Sequence, residues 1–529
     1  MPAANAAPQT LPAVVNRAVQ CWGDRIAVEA GDQQWTFLEL QQEAHRVSRS
    51  LLAMGVRKGD RVAIWCPNIP EWIFAAVGLQ TIGAVLVPLP NRLHGAEAAD
   101  ILQRAGVRVL FAYPMLEQGT LPAMLFDYDL PALEALVLLR GSADDGAVSW
   151  DEFLERGAAI PQSEVEARAG SLSGGDVMDM LFTSGTTGRP KGVLCTHSQN
   201  IRVFETWADT VGLRADDVYL GVNPFFHSFG YKAGWFAGLL TGCKMVPVSA
   251  FDRDLVLKLI QDKRITMWPG APSLYEMILA HPARRDYDLS SLRLGVTGAA
   301  PVSVALVEAM KRELGFETVV TAYGLTECCG VVSICRPEDD AQTIATTSGR
   351  AIEGVEVKIV DPHSLQGVAA GVEGEIWVRG YNVMSGYFEM PEATREAITA
   401  EGWLRTGDIG VMDERGYIRI TDRLKDMYIM NGENVYPAEV EKAIYALDGV
   451  AQVAVIGVPR QPQGEVGMAF VVRAPGANLD QEAVLGWCEG RLARYKRPYF
   501  VRFVGALPLN ATGKVVKPEL KKLAAELLA

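Results

Sequence analysis

The sequence predicts an α/β protein with a large N-terminal domain of βαβ subdomains and a small C-terminal domain. Three observations support this fold class. Short β-rich runs alternate with amphipathic segments up to about Gly324, which is typical of parallel βαβ units. From about Val355 the strands are closely spaced and separated by Gly and Asp, which indicates a small barrel-like subdomain. After Asp422 the pattern changes again and predicts a compact α+β domain.

The predicted elements follow in chain order. The strands of the first part are RVAIWC, AVLVPL, RVLFAY, ALVLLR, CKMVPV, ITMWPG, LRLGVTG and ETVVTAYG, with PVSVALVEAMKREL as an amphipathic helix between two of them. The barrel-like subdomain has VEVKIV, GEIWVRG and YIRI. The C-terminal part has a hairpin MYIMNGENVY, a helix PAEVEKAIYAL, strands AQVAVIGV and GMAFVVR, a helix DQEAVLGWCEGRLA and a Lys-rich terminal helix. We therefore expect domains at residues 1–424 and 425–529.

The uncharged run from Trp72 to Pro90 is long enough to be considered as a membrane-spanning helix. Its Gly, Gln and Thr residues and its two closing prolines instead favour a buried helix that leads into the strand AVLVPL. The N-terminus lacks a basic segment followed by an apolar one, so no signal peptide is predicted.

Composition narrows the function classes. The formal charge of -13 over 529 residues disfavours nucleic acid as a partner, because the phosphates of nucleic acids bind clustered Lys and Arg side chains. The eight cysteines form no CxxC pair, so neither a disulfide framework nor a zinc site is predicted, and a reducing cytoplasm fits best.

The stretch FTSGTTGRPKGVLCTHSQN, from Phe182 to Asn200, has the composition of a phosphate-binding loop. Its small residues let backbone N–H groups approach an anion, its hydroxyls add donors, and Lys191 adds charge. A surface turn is the alternative. The Walker loop needs Lys and Ser or Thr directly after its second glycine, and Gly188 lacks them, which disfavours a kinase or GTPase.

Six further motifs follow: NPFFHSFG (223–230), TGAAP (297–301), AYGLTE (322–327), WLRTGD (403–408), TDRLKDMYIMNGENVYPAEVE (421–441) and PLNATGK (508–514). In order and approximate spacing the series resembles the adenylate-forming superfamily, which includes acyl-CoA synthetases, firefly luciferase and the adenylation domains of peptide synthetases. The resemblance covers nearly the whole chain. It implies a mobile C-terminal domain, a carboxylic acid, ATP, Mg²⁺ and coenzyme A as reactants and cofactor, and a reaction through acyl-AMP and pyrophosphate to a thioester and AMP.

The resemblance assigns the ATP site. The β- and γ-phosphates would meet Thr183, Ser184, Gly185, Thr186, Thr187, Gly188 and Lys191. Adenine would lie against Gly298, Ala299, Ala300, Tyr323 and Gly324, although Tyr323 taken alone is more typical of a core aromatic. Thr326 would bind the α-phosphate, and Glu327 with Thr187 would hold Mg²⁺, with a solvated glutamate as the alternative for Glu327. Asp408 would bind the ribose and Arg423 the ribose or a phosphate, with an exposed structural ion pair as the alternative for each.

The resemblance also assigns the mobile parts. Lys514 would be the catalytic lysine of the first half-reaction, reaching between the carboxylate and the α-phosphate. Lys517, Lys521 and Lys522 are interpreted as a solvated helix face. Lys425 would be the hinge, and a tunnel for the thiol would run past Asn431, Gly432 and Glu433. Asn431 stands where the family usually has glycine.

The acid is predicted to be apolar. Amino-acid adenylating domains place Asp near the start of the motif where this chain has Phe225 and Phe226, and an unpaired charge would be costly to bury there. The predicted acyl pocket comprises Phe226, His227, Phe229, Gly230, Trp235 and Trp268. His227 would be a catalytic gate beside the pocket or a wall residue without catalytic work.

A closer resemblance rests on NPFFHSFGYKAG, HPARRDYDLSSLR, RPEDDAQTIATTSGR and ITDRLKDMYI. These segments resemble bacterial CoA ligases of sterol-ring catabolism, which act on the propanoate side chain of a bicyclic ring system. Fatty acids and other polycyclic or terpenoid acids stay open. So do an acyl-AMP ligase that loads a carrier-protein thiol, a luciferase-like oxygenase and a nucleotide sensor without catalysis. A homodimer is also left open.

Overall fold

The structure is a computed structural model that describes residues 8–116, 119–120, 124–125, 127–142, 146–183, 190–298, 300, 302–424, 426–430, 433–461, 463–489, 491–509 and 514–528. The chain divides into two compact units. The first comprises Met1–Glu356 and Val378–Leu404, and the second Val357–Trp377 and Arg405–Ala529. Residues 405–424 thus group with the C-terminal residues. The predicted boundary after residue 424 stays a prediction, and the predicted hinge Lys425 lies outside the described residues.

The first unit contains a nine-stranded sheet with a parallel centre and antiparallel edges. The predicted pattern of alternating β and helical segments explains the parallel centre, because parallel neighbours need a crossover between them. In spatial order its strands are Arg350–Ala351, Ser333–Ile334, Thr318–Tyr323, Leu294–Gly298, Met267–Gly270, Val218–Gly221, Lys244–Pro247, Ile26–Ala30 and Gln33–Thr36.

An eight-stranded sheet is the other large sheet of this unit. Its strands, in spatial order, are Gly386–Tyr387, Lys191–Thr196, Val177–Thr183, Val85–Pro88, Arg61–Trp65, Val107–Ala112, Ala135–Leu138 and Val148–Ser149. The first three strands pair antiparallel and the others parallel. Met115–Leu116 and Gly119–Thr120 form a separate short ribbon.

The helices of the first unit begin and end at residues suited to capping. Thr36 and Thr196 each form a capping box, and Gly106 and Gly212 end helices in the left-handed conformation. The α-helices are Leu11–Trp22, Phe37–Ala53, Pro70–Thr81, Gly95–Ala105, Trp150–Arg156, Gln162–Gly170, His197–Val211, Ser228–Gly230, Ala237–Thr241, Arg253–Lys263, Pro272–Leu279, Val304–Glu313, Ala341–Thr346 and Pro391–Ala397. Tyr231–Phe236 is a π-helix, and Arg284–Asp286 and Thr326–Cys328 are 3₁₀ turns.

The helix Pro70–Thr81 is buried along nearly its whole length and is followed by the strand Val85–Pro88. This is the predicted buried helix leading into a strand. Among the residues that the structure describes, no helix is long and apolar enough to cross a membrane.

Two further sheets are formed largely by residues of the second unit. Val355–Val360, Gly374–Gly380, Leu404–Met412 and Ile418–Arg423 form the four-stranded sheet of the predicted barrel-like subdomain. The other sheet has Glu433–Val435, Tyr428–Met430, Gly464–Arg473 and Val450–Arg460, with Phe500–Phe503 parallel to Gly464–Arg473. Pro437–Tyr445, Gln481–Glu489 and Lys517–Leu528 are its α-helices and Arg494–Lys496 is a 3₁₀ turn. Val440, Ile444, Met468 and Phe470 belong to its apolar core.

Candidate functional site

The predicted phosphate loop is the connection of a β-hairpin in the first unit. Val177–Thr183 and Lys191–Thr196 pair antiparallel, with Thr183 opposite Lys191. Two residues predicted to bind ATP therefore flank the connection. The others in this stretch, Ser184, Gly185, Thr186, Thr187 and Gly188, lie outside the described residues.

A chain of three polar side chains links the hairpin to the predicted metal ligand. The Nζ atom of Lys191 lies 4.8 Å from the ring centroid of Tyr387. The hydroxyl of Tyr387 donates a hydrogen bond of 3.0 Å to Oε1 of Glu327. Burial, together with the negative charge of Glu327, raises the pKa of Tyr387 far above its usual value, so this hydroxyl stays protonated and donates at neutral pH.

The backbone fixes the position of Glu327. This residue lies in the 3₁₀ turn Thr326–Cys328, and its carbonyl oxygen accepts a 2.8 Å hydrogen bond from the N–H of Met384. The carbonyl of Thr326 accepts a weak bond of 3.9 Å from Sγ of Cys195, on the strand that begins at Lys191. The phosphate hairpin and the predicted α-phosphate ligand thus lie beside each other.

The predicted adenine residues lie at the carboxyl ends of neighbouring parallel strands. Gly298 ends one strand and pairs in register with Ala322 on the neighbouring strand. Tyr323 follows Ala322 and is 7% exposed. This strand edge is where open α/β sheets bind ligands. A Cβ on Gly324 would fall 1.9 Å from the carbonyl oxygen of Gly330, so only glycine fits there. Ala300 is exposed, and Ala299 lies outside the described residues.

The acyl segment, which we define as residues 223–236, folds as a tight turn followed by the π-helix. Its turn is anchored by Asn68, whose Nδ2 donates to the carbonyl of Asn223 at 2.8 Å. A Cβ on Gly230 would fall 2.2 Å from the carbonyl oxygen of Pro224, which explains the glycine. Nδ1 of His227 accepts a 3.2 Å hydrogen bond from the N–H of Phe229.

Aromatic side chains surround this segment. Phe225 packs edge-on against Trp72 at 5.6 Å, and Trp235 stacks on Tyr231 at 4.9 Å between ring centroids. Phe226, His227 and Phe229 are half-buried. An apolar wall with a few partly accessible rings suits an apolar acyl group.

Within the second unit, Asp408 and Arg423 face each other on neighbouring strands. Nε of Arg423 lies 2.9 Å from Oδ1 of Asp408, whose side chain is 5% exposed. An ion pair is therefore present, but its carboxylate is buried, whereas the alternative from the sequence was an exposed pair. The ribose role stays a prediction. Lys514 is exposed and precedes an isolated bridge between Leu509 and Val515.

Comparison with known proteins decides the family. The model of the AMP-binding enzyme family matches residues 15–388, and that of the AMP-binding enzyme C-terminal domain matches residues 439–514. This chain belongs to the AMP-binding enzyme family. The predicted superfamily and fold class are thereby confirmed.

Relatives and solved structures of this family agree. The chain is 50% identical to the 3-[(3aS,4S,7aS)-7a-methyl-1,5-dioxo-octahydro-1H-inden-4-yl]propanoyl:CoA ligase of Mycobacterium tuberculosis (strain ATCC 25618 / H37Rv), covering 97% of this chain and 99% of that one. It is 47% identical to the ligase of the same name from Rhodococcus jostii (strain RHA1), covering 97% and 99%. The structure of a Mycobacterium tuberculosis fatty acyl CoA synthetase superposes with a TM-score of 0.77 at 30% identity, covering 98% and 99%. The predicted enzyme class, an AMP-forming acyl-CoA ligase, and the closer resemblance are confirmed.

The predicted roles of Trp268 and of the thiol tunnel stay predictions for this AMP-binding enzyme. Trp268 is fully buried and packs against Tyr275 and Phe316. Asn431 and Gly432 of the predicted tunnel lie outside the described residues, and of Glu433 only the backbone is described. The assignment of these residues stays a prediction.

The interpretation of Lys517 as a solvated residue is wrong. Its Nζ lies 2.9 Å from Oε1 of Glu441 and 3.8 Å from Oδ2 of Asp426, and its side chain is 16% exposed. Ion pairing with two carboxylates holds this residue at the start of the last helix. Spacing in the sequence could not show this, because Glu441 lies on a different helix.

Sequence reasoning missed Tyr387. It is part of a Gly-Tyr pair that carries no distinctive pattern, and it lies 60 positions from Glu327. The only available signal was that the residue before it is a glycine, Gly386, which allows close packing of the short strand against Thr394. Among the described residues no group of three or more His, Cys, Asp or Glu could hold a metal ion.

Proposed function

We propose that this enzyme activates 3-(7a-methyl-1,5-dioxo-octahydro-1H-inden-4-yl)propanoate, a propanoate attached to a bicyclic diketone. One observation carries the proposal. The two ligases named for this acid share 50% and 47% of their residues with the chain over nearly full length, whereas a long-chain-fatty-acid ligase, FadD13 of Mycobacterium tuberculosis (strain CDC 1551 / Oshkosh), shares 35%. The half-buried rings of Phe226 and Phe229 in the acyl segment support an apolar ring system as the occupant.

The reaction has two steps. A carboxylate oxygen of the acid attacks the α-phosphorus of ATP, the bond from that phosphorus to the bridging oxygen breaks, and pyrophosphate leaves. The thiolate sulfur of coenzyme A then attacks the acyl carbon, and AMP leaves with the oxygen that the acid contributed. Both steps need anions brought together and neutralised more than they need covalent help from the protein.

Residues of the first unit are suited to the first step. Lys191 would neutralise the β- and γ-phosphates, and its position over the Tyr387 ring would restrict the ammonium to one region. The N–H and O–H groups of Thr183 and Thr326 would donate to phosphate oxygens. Tyr387 would orient the Glu327 carboxylate.

Mg²⁺ is proposed as the metal cofactor. The donor chemistry fits, because Glu327 offers carboxylate oxygen on a rigid turn, and Mg²⁺ is typically held by one or two carboxylates plus substrate phosphates. When bound, Mg²⁺ would neutralise phosphate charge. Thr187 is the second proposed ligand. Lys514 is proposed to add positive charge beside the α-phosphate in the first step only.

We also propose that the enzyme works in the cytoplasm on free coenzyme A. All eight cysteines belong to the described part of the chain and are free thiols, as a reducing compartment would maintain them. The homodimer that the sequence left open stays a prediction.

A panel of acids tests the proposal. The enzyme is incubated with ATP, Mg²⁺, coenzyme A and one acid at a time, and acyl-CoA is measured by mass spectrometry. The bicyclic propanoate is expected to give a kcat/KM at least about tenfold above that of saturated fatty acids, since the ring would fill a pocket shaped for it. A preference for a fatty acid, or thioester formed only on a carrier-protein thiol, would contradict the proposal.

A further inference from the structure

A buried ion pair joins the phosphate hairpin to the acyl segment. Nζ of Lys232 lies 3.0 Å from Oδ1 of Asp179, and both side chains are 0% exposed. Asp179 lies on the strand Val177–Thr183, four positions before Thr183, the first residue predicted to bind phosphate. Lys232 lies on the π-helix of the acyl segment, five positions after His227. Two segments that are predicted to hold different substrates are thus connected by this ion pair.

The other carboxylate oxygen of Asp179, Oδ2, accepts hydrogen bonds from two further side chains. Nδ2 of Asn200 donates to Oδ2 of Asp179 at 2.8 Å, and the hydroxyl of Tyr231 donates at 3.3 Å. Tyr231 in turn accepts a 2.8 Å hydrogen bond from Nε2 of Gln80 on a buried helix. One carboxylate therefore fixes the strand, the helix His197–Val211 and the π-helix relative to each other.

Two consecutive residues of the π-helix reach the same carboxylate. Tyr231 and Lys232 are consecutive, and consecutive residues of a regular helix do not face the same side. Here both reach Asp179, in a helix whose Gly234 has non-helical backbone angles, φ −94° and ψ −112°. π-turns are rare and occur frequently at functional sites.

Burial and charge oppose each other in this pair: burial raises the pKa of Asp179 above its usual value, although Lys232, Asn200 and Tyr231 act to lower it. Burial by itself would lower the pKa of Lys232, but the negative charge of Asp179 outweighs burial, and this pKa lies above its usual value. The ammonium stays charged at neutral pH. Burying two charges is expensive, and well-packed neutral residues are often as stable in such positions. Stability therefore does not account for the pair, whereas fixed geometry between two substrate-binding segments does.

We propose that Asp179 and Lys232 are positioning residues of the adenylation step, which set the distance between the acyl segment and the phosphate hairpin formed by Val177–Thr183 and Lys191–Thr196. In the first step a carboxylate oxygen must approach the α-phosphorus in line, and a misplacement of about 1 Å can slow such a reaction about 100-fold. In the second step the carboxyl carbon is already joined to AMP. The pair therefore serves the first step and is dispensable for the second. This inference rests on the ligase activity and not on the identity of the acid.

The test uses the full-length double variant Asp179→Asn/Lys232→Met, which removes both charges and leaves no single buried charge. Whichever acid is the best substrate in the panel is used, so that failure of the bicyclic acid leaves this test intact. The expected kcat for acid-dependent pyrophosphate release falls about 100-fold, with KM for ATP and for the acid each changed by less than about threefold. Thioester formation from supplied acyl-AMP stays near the parent rate, and the melting temperature does not fall.

A control is Glu29→Gln/Lys244→Met, which neutralises a 2.6 Å ion pair of the first unit outside the proposed site and also removes the 2.7 Å contact of Lys263 with Glu29. It should leave both half-reactions unchanged. If the Asp179 and Lys232 double variant does not fold, Asp179→Glu carries the test. This change keeps both charges and lengthens the acidic side chain by one methylene, which shifts its carboxylate. Its adenylation rate should fall about tenfold or more while thioester formation persists. An unchanged adenylation rate, or equal losses in both half-reactions, would overturn the proposal.

Discussion

The hydroxyl of Tyr387 should matter for adenylation although it bears no charge and was not predicted from the sequence. Tyr387→Phe removes the 3.0 Å hydrogen bond to Glu327 and leaves the ring beneath Lys191. Hydrogen bonds to charged groups are worth about 1.5 to 3 kcal/mol, and the low end applies here because water can replace part of the bond at a half-buried site. About 1.4 kcal/mol corresponds to a tenfold change in rate.

The assay is acid-dependent pyrophosphate release at a series of Mg²⁺ concentrations. We expect an adenylation rate about tenfold lower at subsaturating Mg²⁺, and a higher Mg²⁺ concentration at half-maximal rate, because an unrestrained carboxylate is a poorer ligand. Tyr381→Phe is the matched control. Tyr381 lies six positions before Tyr387, and this change removes a hydroxyl that lies 3.2 Å from Oγ1 of Thr206. A Tyr387→Phe enzyme with the parent rate and Mg²⁺ dependence would refute the role given to this contact.

Three further predictions concern the proposed catalytic lysine, the proposed thiol tunnel and the stability of the first unit. Lys514→Ala should slow pyrophosphate release by about two to three orders of magnitude and leave the reaction of coenzyme A with supplied acyl-AMP nearly unchanged; a normal adenylation rate would remove Lys514 from the active site. Gly432→Leu should block thioester formation and spare adenylation, which separate assays of the two half-reactions would show, and equal losses would refute a tunnel at this position. Glu29→Gln should lower the free energy of unfolding at pH 7 by about 2 kcal/mol, because Lys244 and Lys263 outweigh burial and lower the pKa of Glu29 to about 2. This stabilisation is complete above the unfolded pKa of about 4.5 and is lost as pH falls toward 2, so urea titrations of parent and variant should converge over that range and not above it.

Local patterns sufficed for most of the fold. Each predicted strand of the first part, from RVAIWC to ETVVTAYG, is a strand in the structure, because runs of β-branched residues between turn signals carry their own information. The hairpin, helices and strands of the C-terminal part were likewise predicted. The antiparallel edges of both large sheets were not, because pairing partners such as Val193 and Tyr387 lie far apart in sequence.

Site residues could be predicted from the sequence only where they belong to a recognisable motif. Gly324 and Gly230 fit their predicted motifs for a physical reason, since a side chain at either would collide with backbone. The contacts that connect motifs were not predictable. Asp179 lies 53 positions from Lys232. The sequence contains many aspartates and lysines, and nothing in it indicates which of them form an ion pair with each other. Such contacts arise from tertiary packing, which spacing does not encode.

Transfer of ¹⁸O from the acid tests the central claim most directly. The bicyclic propanoate, labelled with ¹⁸O in both carboxyl oxygens, is incubated with the enzyme, ATP, Mg²⁺ and coenzyme A, and the products are analysed by mass spectrometry. The account predicts that one labelled oxygen appears in AMP and the other in the carbonyl of the acyl-CoA, because the acid attacks the α-phosphorus and the thiol then attacks the acyl carbon. Label in inorganic phosphate with ADP as the product, or no labelled acyl-CoA from this acid, would contradict it.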